Sequence, residues 1–592
     1  MNLDYFYQKI EKLLNQAKSG DRTHFKKRDN TKHNKYSEMK LKLIIAFALI
    51  AHISYGQNLF TKAITKIAKM MPTGTESTNT LTDMSVIGGI QSNLPTAELG
   101  TISQSLFTGW RTGGDQVAFG FSKKSSFGFL KIDGSVTVDG MPMEYVLAGT
   151  YSLITDANPL PRKIEIVTTT GEKSSFTIEP NKNKFKITSI NGQKDKISID
   201  LTKDVVVELE GAVIPENAIL KVGLAINQVS IKSIYDICYI RSGSTITIPA
   251  AAFRNISIIP GGDAIYSYKK SFLEIGIESI ENATEVTGSL TSFPYTSVYT
   301  DGKLVNVTNE PILNNGLIVK ETENDLDCNY FKPNAFLSRP FEQIKKIGVI
   351  SFSIRGTTFH ESSQTTSTDY KGISATGQAE TTTVTTTKTT TLEFPKQPNE
   401  VWDALLEKLY PDFMAVVNEE FNTVDIPVDQ ITNSQPYKFV EAFAKDDVNN
   451  QVNFTRSFRN TKVLSAFLPI NEGYGANNYS QKIMNEVGAD ALLTMTLDLT
   501  IANTKDGKVI MMPNFAFEII GKSNGRNSST KYCTGTIKSL TGAAFTNDDL
   551  PSQLEGIVHK TIILDAFRKG LKELKEKELA NGDYVTVWNL QK

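Results

Sequence analysis

Gly488-Ala489-Asp490-Ala491-Leu492-Leu493-Thr494-Met495-Thr496-Leu497-Asp498-Leu499-Thr500-Ile501 is the stretch that decides the fold of the carboxyl-terminal part of this chain. Leu493, Met495, Leu497, Leu499 and Ile501 alternate with Thr494, Thr496, Asp498 and Thr500, the period of two expected of a strand with one wet face. Asp506-Gly507 supplies a turn, and Phe515, Phe517 and Ile519 alternate on the return. Ala491 to Ile520 is therefore predicted to be a half-exposed antiparallel hairpin.

Helices flank this hairpin in the sequence. Tyr479 to Val487 is predicted to be a helix that feeds it through Gly488-Ala489-Asp490. Further upstream, Ile344 to Phe352 has the composition of a buried strand. Pro398-Asn399-Glu400 then opens a helix with Val401, Leu405, Leu406 and Leu409 on one face, continued by Phe413 to Phe421 after Pro411. Asn422 to Val428 is predicted to return as a strand. Downstream, Pro551 starts a long helix carrying Leu554, Ile557, Val558, Ile562, Phe567, Leu571 and Leu574 on one side, stopped at Asn581-Gly582. A short strand from Tyr584 to Trp588 is expected to end the chain. Between the first strand and the first helix lies Thr357 to Leu392, with nine threonines among the eleven residues Thr381 to Thr391. Threonine favours extended backbone but offers little to bury, so this insertion is either a protruding two-stranded ribbon turning near Lys371-Gly372 or a disordered loop.

Strand, helix, strand, helix, long hairpin, third strand and closing helix, with the Gly488 to Leu493 entry, resembles the anticodon-binding-like α/β domain of the TolB amino-terminal and curli secretion-channel families. The resemblance covers about residues 340 to 580. It implies an assembly, channel or regulatory component of the Gram-negative envelope without catalytic activity, with self-association of the α/β domain into a ring. Curli-channel relatives are anchored by a lipidated cysteine and cross the outer membrane with apolar-alternating hairpins. No cysteine directly follows the export signal described below. The Thr-rich insertion would present hydroxyls where lipid demands an apolar band. The fold is carried over, and the pore is not.

From about 105 to 340 the texture changes to short alternating strands separated by Gly, Asn, Asp and Pro. Asp133-Gly134 and Asp139-Gly140 are turn signals, and Lys184-Phe185-Lys186-Ile187 and Lys196 to Leu201 alternate polar with apolar. Many such runs predict β-sandwiches. The chain is too long for one core. It divides, on this reading, into a helical or irregular segment 57–104, β-sandwich domains 105–195 and 196–340, both Ig-like, and an α/β domain 341–592 with the insertion 357–392. Leu59, Phe60, Ile64, Ile67 and Met70 or Met71 mark a short amphipathic helix before Pro72.

Met39-Lys40-Leu41-Lys42 followed by the apolar run Leu43 to Ala51 and by Ser54 and Gly56 has the three parts of an export signal. Residues 39–56 are expected to be a signal peptide and Gln57 the mature start, with residues 1–38 a leader absent from the mature protein. The competing reading is a cytoplasmic protein in which residues 1–56 are true structure. Residues 1–38 carry nine Lys/Arg against five Asp/Glu, and removal of the six net positive charges of residues 1–56 takes the chain from −1 to −7. A mildly acidic chain lacks the clustered cations that bind nucleic acid, so protein partners or self-association are expected, with peripheral outer-membrane association an option.

Candidate chemistry is sparse. His360 and His559 are the histidines beyond residue 56, too few for a multi-histidine metal site. Gly521-Lys522-Ser523-Asn524-Gly525 matches the bare nucleophile-elbow pattern but sits between two strands, where a Gly/Asn/Ser turn suffices. Glu323, Asp325 and Asp327 lack the glycine and distal acid of a calcium loop. Cys238, Cys328 and Cys533 permit at most one disulfide, and Cys238 has the apolar neighbours of a buried thiol. No catalytic, cofactor-binding or metal residue is assigned. The expectation is an exported, non-enzymatic envelope binding or assembly protein. The alternative is a secreted hydrolase or carbohydrate-active enzyme with a cleft between domains.

Overall fold

The structure is a computed structural model that describes residues 75–96, 109–123, 129–211, 215, 218–228, 231–256, 266–356, 359–373, 379–440, 442, 454–464, 478–504, 508–524, 529–546 and 549–592. The leader 1–38, the signal peptide 39–56, the helix before Pro72 and the Asp506-Gly507 turn lie outside these residues. The described chain is mostly β-sheet and falls into two compact units. One runs up to Asn315 and includes Thr586–Lys592, and the other is Gly316–Val585.

The first unit is built from nineteen strands in its described residues. They begin with β1 (Thr75–Thr78), β2 (Met84–Ser92), β3 (Asp115–Lys123), β4 (Phe129–Ile132), β5 (Gly134–Val138), β6 (Met141–Pro142), β7 (Glu144–Leu147) and β8 (Thr150–Thr155). Next come β9 (Arg162–Thr168), β10 (Lys173–Ile178), β11 (Lys186–Ile190), β12 (Ser198–Asp200), β13 (Val205–Glu210), β14 (Ile219–Gln228), β15 (Ile231–Arg241) and β16 (Thr245–Ile248). The long β17 (Tyr266–Asn282), β18 (Thr284–Thr287) and β19 (Pro294–Asn309) complete it. An eleven-stranded sheet of order β1-β4-β3-β2-β19-β17-β14-β15 runs through the whole unit, with β7, β8 and β12 paired off this path.

Two smaller sheets cover it. The sheet β18-β10-β9-β5-β6 packs on one half, where Phe119, Phe176 and Phe293 meet edge to face at 4.9–6.3 Å inside a core that also holds Val117, Ile164 and Tyr295. The sheet β11-β13-β16 contributes the fully buried Ile187, Val205, Val207 and Ile248. The fold is thus sandwich-rich, but the sheet continues past residue 195 without a break. Strands β1 and β2 lie inside the segment 57–104, which reads as helical or irregular in sequence. They were hidden because β1 carries no apolar residue and Gly88-Gly89 interrupts the alternation of Met84, Val86 and Ile90 in β2.

The second unit is a mixed sheet between helices. Its strands are β20 (Leu317–Glu323), β21 (Leu326–Lys332), β22 (Lys346–Gly356), β23 (Phe359–Ile373), β24 (Ala379–Glu393) and β25 (Val424–Ile426). They are followed by β26 (Phe454–Ser457), β27 (Ala491–Asn503), β28 (Val509–Lys522), β29 (Ser529–Ser539) and β30 (Ala543–Ala544). The order is β20-β21-β29-β28-β27-β22-β25, with β22 parallel to both β25 and β27. Strands β20 and β21 fall before residue 340 in sequence yet pair in this sheet, because β21 finds its partner in β29, some two hundred residues later.

Helices α1 (Asn399–Phe421), α2 (Val428–Asn433), α3 (Tyr479–Val487), α4 (Leu550–Ile557) and α5 (Lys560–Asn581) cover the two faces. Ile431, Ile483 and Met484 of α2 and α3 pack on Ile350 and Leu492. On the opposite face Phe413 of α1 stacks on Phe515 at 4.3 Å, and Phe567 of α5 meets Phe517 at 4.9 Å. With helices on both sides, Thr494 and Thr496 are buried, at 5% and 1% exposure. The expected half-exposed hairpin is therefore covered on both faces along its first half.

Three further expectations are revised. The run from Asn422 to Val428 is the three-residue β25 leading into α2. The closing helix is broken into α4 and α5 at Val558-His559, where His559 adopts φ +52°. The chain ends in α6 (Asp583–Asn589) rather than in a strand, since Tyr584 and Val587, three apart, are the buried pair. Among the described residues no helix is long and apolar enough to cross a membrane.

Candidate functional site

Strands β23 and β24 form a ribbon of fifteen paired residues on each strand, from Phe359 opposite Glu393 to Ile373 opposite Ala379, without a register shift. At about 3.4 Å per residue it is roughly 50 Å long. Between the two readings of the Thr-rich insertion, the structure selects the ribbon, in which Lys371 and Gly372 are still paired, opposite Thr381 and Glu380. Threonine explains the choice. Its branched Cβ suits extended backbone, and its hydroxyl tolerates water on both faces.

The root of the ribbon is firmly held. At the end of β22 Arg355 donates to both carboxylate oxygens of Asp498, at 2.6 and 2.7 Å, which ties β22 to β27 one residue before Gly356. On the return, Phe394 is buried against Phe545 at 4.7 Å and Trp402 at 6.1 Å, and Trp402 stacks on Phe454 at 4.6 Å. The ribbon thus leaves a rigid aromatic base.

Along one face, cross-strand hydroxyls pair. Thr365 Oγ1 lies 3.2 Å from Thr387 Oγ1, Ser367 Oγ lies 3.2 Å from Thr385 Oγ1, and Thr383 donates to Asp369 at 2.7 Å. The other face carries Tyr370 and Val384, which are 60% and 46% exposed. Among the described residues β23 and β24 pair only with each other, so the outer edge of each presents backbone N–H and C=O groups with no strand partner. Such edges are ordinarily shortened, bulged or charged. Here the runs Ser362–Thr368 and Thr381–Thr387 carry no charge at all.

The other concentrated chemistry in this unit is closed to solvent. Lys332 Nζ, on β21, donates to Ser338 Oγ at 2.6 Å and to the Arg339 carbonyl at 2.8 Å, and pairs with Glu578 Oε2 of α5 at 3.0 Å. Phe341 lies under the ammonium, its ring centre 3.8 Å away, and its backbone N–H donates to Glu578 Oε1 at 2.8 Å. Burial holds the Lys332 ammonium below the usual lysine range and pushes Glu578 up, an effect that the pairing opposes. Burial also pushes the neighbouring Cys533 thiol up to about 12. This cluster fastens α5 to the sheet.

Beside it, Tyr330 slots between two glycines. A Cβ on Gly535 would lie 2.7 Å from the Tyr330 ring and one on Gly570 2.2 Å from it, and the Tyr330 hydroxyl donates to the Ala566 carbonyl at 2.8 Å. In the first unit, Lys221 and Asp236 form a buried pair at 3.5 Å near Glu274, whose carboxyl is pushed up by burial.

His360 lies on β23. His559 sits at the α4–α5 junction, with Nδ1 3.0 Å from Ser539 Oγ, and burial lowers its pKa. Gly521 to Asn524 close β28 at a strand-to-strand connection, as the spacing predicts. Glu323 and Asp327 lie on β20 and β21 with Asp325 in the tight turn between them, and Glu323 pairs with Lys569. The three cysteines are free and buried. Among the described residues no group of His, Cys, Asp and Glu is arranged to hold a metal ion. Sequence reasoning missed the Lys332 cluster, whose members are scattered from residue 332 to 584 with no local signature.

No family model matches the chain, and no curated protein matches it. Among solved structures it is similar to the FN1–FN3 domains of chicken CNTN1, at 10% identity over 48% of this chain and 85% of that one, with a TM-score of 0.09. It is also similar to a Salmonella alpha-2-macroglobulin mutant, at 11% identity over 70% of this chain and 25% of that one, with a TM-score of 0.10. Neither likeness extends to the arrangement of the whole chain.

Proposed function

We propose that this protein is an exported binding or assembly component of the cell envelope, and that the β23–β24 ribbon is its interaction surface. The observation that carries this reading is the pair of open strand edges, each with an uncharged central run, along a ribbon anchored at its root. An open edge binds by adding a strand, with main-chain hydrogen bonds giving affinity and alternate side chains giving register. The signal-like stretch Met39 to Gly56 supports export. The resemblance of residues 340 to 580 to the TolB and curli-channel α/β domain, and the Ig-like texture of the preceding strands, support a periplasmic or outer-membrane-associated assembly role without catalysis, in which the α/β unit self-associates.

The test is fractionation of cells expressing the native protein and a variant with residues 359–393 replaced by a short Gly/Ser linker, with intact mass on each. The expected result is a wild-type chain beginning at Gln57 in an envelope complex that the variant fails to join. A chain retaining Met1 in the cytosol, or a variant that joins the same complex, would refute it.

A further inference from the structure

Glu380 and Lys388 stand four residues to either side of Val384 in the unbroken register of β24. The outer edge of β24 is consequently self-complementary about a two-fold axis through Val384. With two β24 strands antiparallel and Val384 opposite Val384, each Glu380 falls opposite Lys388 of the second copy. Thr381, Thr382 and Thr383 fall opposite Thr387, Thr386 and Thr385. From Glu380 to Lys388 every pair is then apolar on apolar, acid on base, or hydroxyl on hydroxyl, the combinations that stabilise neighbouring strands. A slide of two residues in either direction sets Val384 against threonine and parts both Glu380–Lys388 pairs, so the pattern defines one register.

The opposite edge does not match as well. On β23, Glu361 and Lys371 are symmetric about Thr366, which leaves a hydroxyl at the axis and Asp369 opposite Ser363.

Tyr370 adds to the β24 side. In the ribbon Thr368 is opposite Val384 and Tyr370 is opposite Thr382, so Tyr370 lies diagonal to Val384 on the same face. Joining two copies at β24 would line up Tyr370, Val384, Val384 and Tyr370 across four strands and cover two of the large apolar side chains that the second unit leaves exposed. It would also relieve the marginal stability of a two-stranded ribbon in water, since three or more strands are needed for independent stability.

We infer that two copies of this chain associate as a two-fold dimer through the outer edges of β24, centred on Val384 and held in register by two Glu380–Lys388 pairs. This rests on the reading of the ribbon as the interaction surface and names its partner.

All three native cysteines are buried, so Val384→Cys adds an accessible thiol to an otherwise unreactive surface. In the full chain, light scattering is expected to give twice the chain mass, and mild oxidation is expected to cross-link Val384→Cys into a covalent dimer while Thr366→Cys stays largely monomeric. Lys388→Glu sets acid against acid at two places and should weaken the dimer about tenfold or more, and the added change Glu380→Lys should restore it. Unchanged circular dichroism in these surface variants separates association from folding. A monomer at every concentration, a dimer indifferent to Lys388→Glu, or faster cross-linking through Thr366→Cys overturns the inference. A monomer whose envelope complex still requires residues 359–393 overturns self-pairing alone and leaves the ribbon as a surface for another protein.

Discussion

Lys332 Nζ and Glu578 Oε2 stand 3.0 Å apart with 0% and 2% of their side chains exposed, and they join β21 to the closing helix α5. Removal of one partner leaves the other charge buried and unpaired, which typically costs about 3–5 kcal/mol. Glu578→Ala also strips the acceptor from the Phe341 N–H. It is expected to lower the calorimetric transition of the second unit sharply, whereas Lys332→Met combined with Glu578→Leu should recover the share owed to the unpaired Lys332 ammonium. Equal damage from the single and double changes would show that the pair itself is not what holds α5.

His559 gives the second unit a pH dependence of defined sign. Burial lowers its folded-state pKa below the ordinary value near 6.5, so the unfolded chain takes up the proton first as pH falls. Stability is therefore highest above about pH 6.5 and declines as pH falls from there toward the folded-state pKa. His559→Asn keeps a residue that tolerates the positive φ at this junction and removes the titration. Melting temperatures from pH 8 to 5 should fall less steeply for the variant, and parallel curves would exclude His559 as the source.

Glu274 acts with the opposite sign in the first unit. Burial raises its pKa, partly offset by Lys221, so the folded chain holds the proton where the unfolded chain has released it. Stability is lost as pH rises from the unfolded value near 4.3 through the folded one. Glu274→Gln should raise the melting temperature of the first unit at pH 8 and flatten that slope. A lower melting temperature at pH 8 would mean that the ionised carboxylate is favourably held by Lys221.

Gly570 and Gly556 should respond oppositely to alanine. Both lie in helices, where alanine is intrinsically better by about 1 kcal/mol. At Gly556 a Cβ meets nothing within 4 Å, so Gly556→Ala should stabilise. At Gly570 the Cβ would lie 2.2 Å from the Tyr330 ring, and overpacking of about 1–3 kcal/mol outweighs the propensity gain. Urea midpoints of the two variants decide this, and a stabilised Gly570→Ala would show that Tyr330 yields freely.

What could be read from the sequence was local. Helix α3 runs from Tyr479 to Val487 as predicted, because Asn478 caps its start by accepting from the Gln481 N–H and Gly488, at φ +70°, ends it. Strands β27 and β28 pair as their alternation requires, from Ala491 opposite Gly521 to Asn503 opposite Val509. What escaped was decided at long range. Nothing near Thr494 announces that helices cover both sides of it, and nothing near Leu326 points to Ser539, its opposite number on β29. The break at His559 was hidden because Leu554, Val558 and Ile562 keep a helical spacing straight through it. For the ribbon, composition specified extended backbone but left pairing and disorder equally open.

The continuous sheet of the first unit also fixes when that unit can form. Strand β2 finds its parallel partner in β19, with Gly89 opposite Thr296, and the core around Phe119 and Phe176 is closed by Phe293 and Tyr295. As the chain emerges from the ribosome, the first half-sandwich therefore stays unfinished until some two hundred residues after β2 have followed. Such an order of synthesis holds the nascent first unit open over that interval, because its long-range pairings cannot be made before their partners exist.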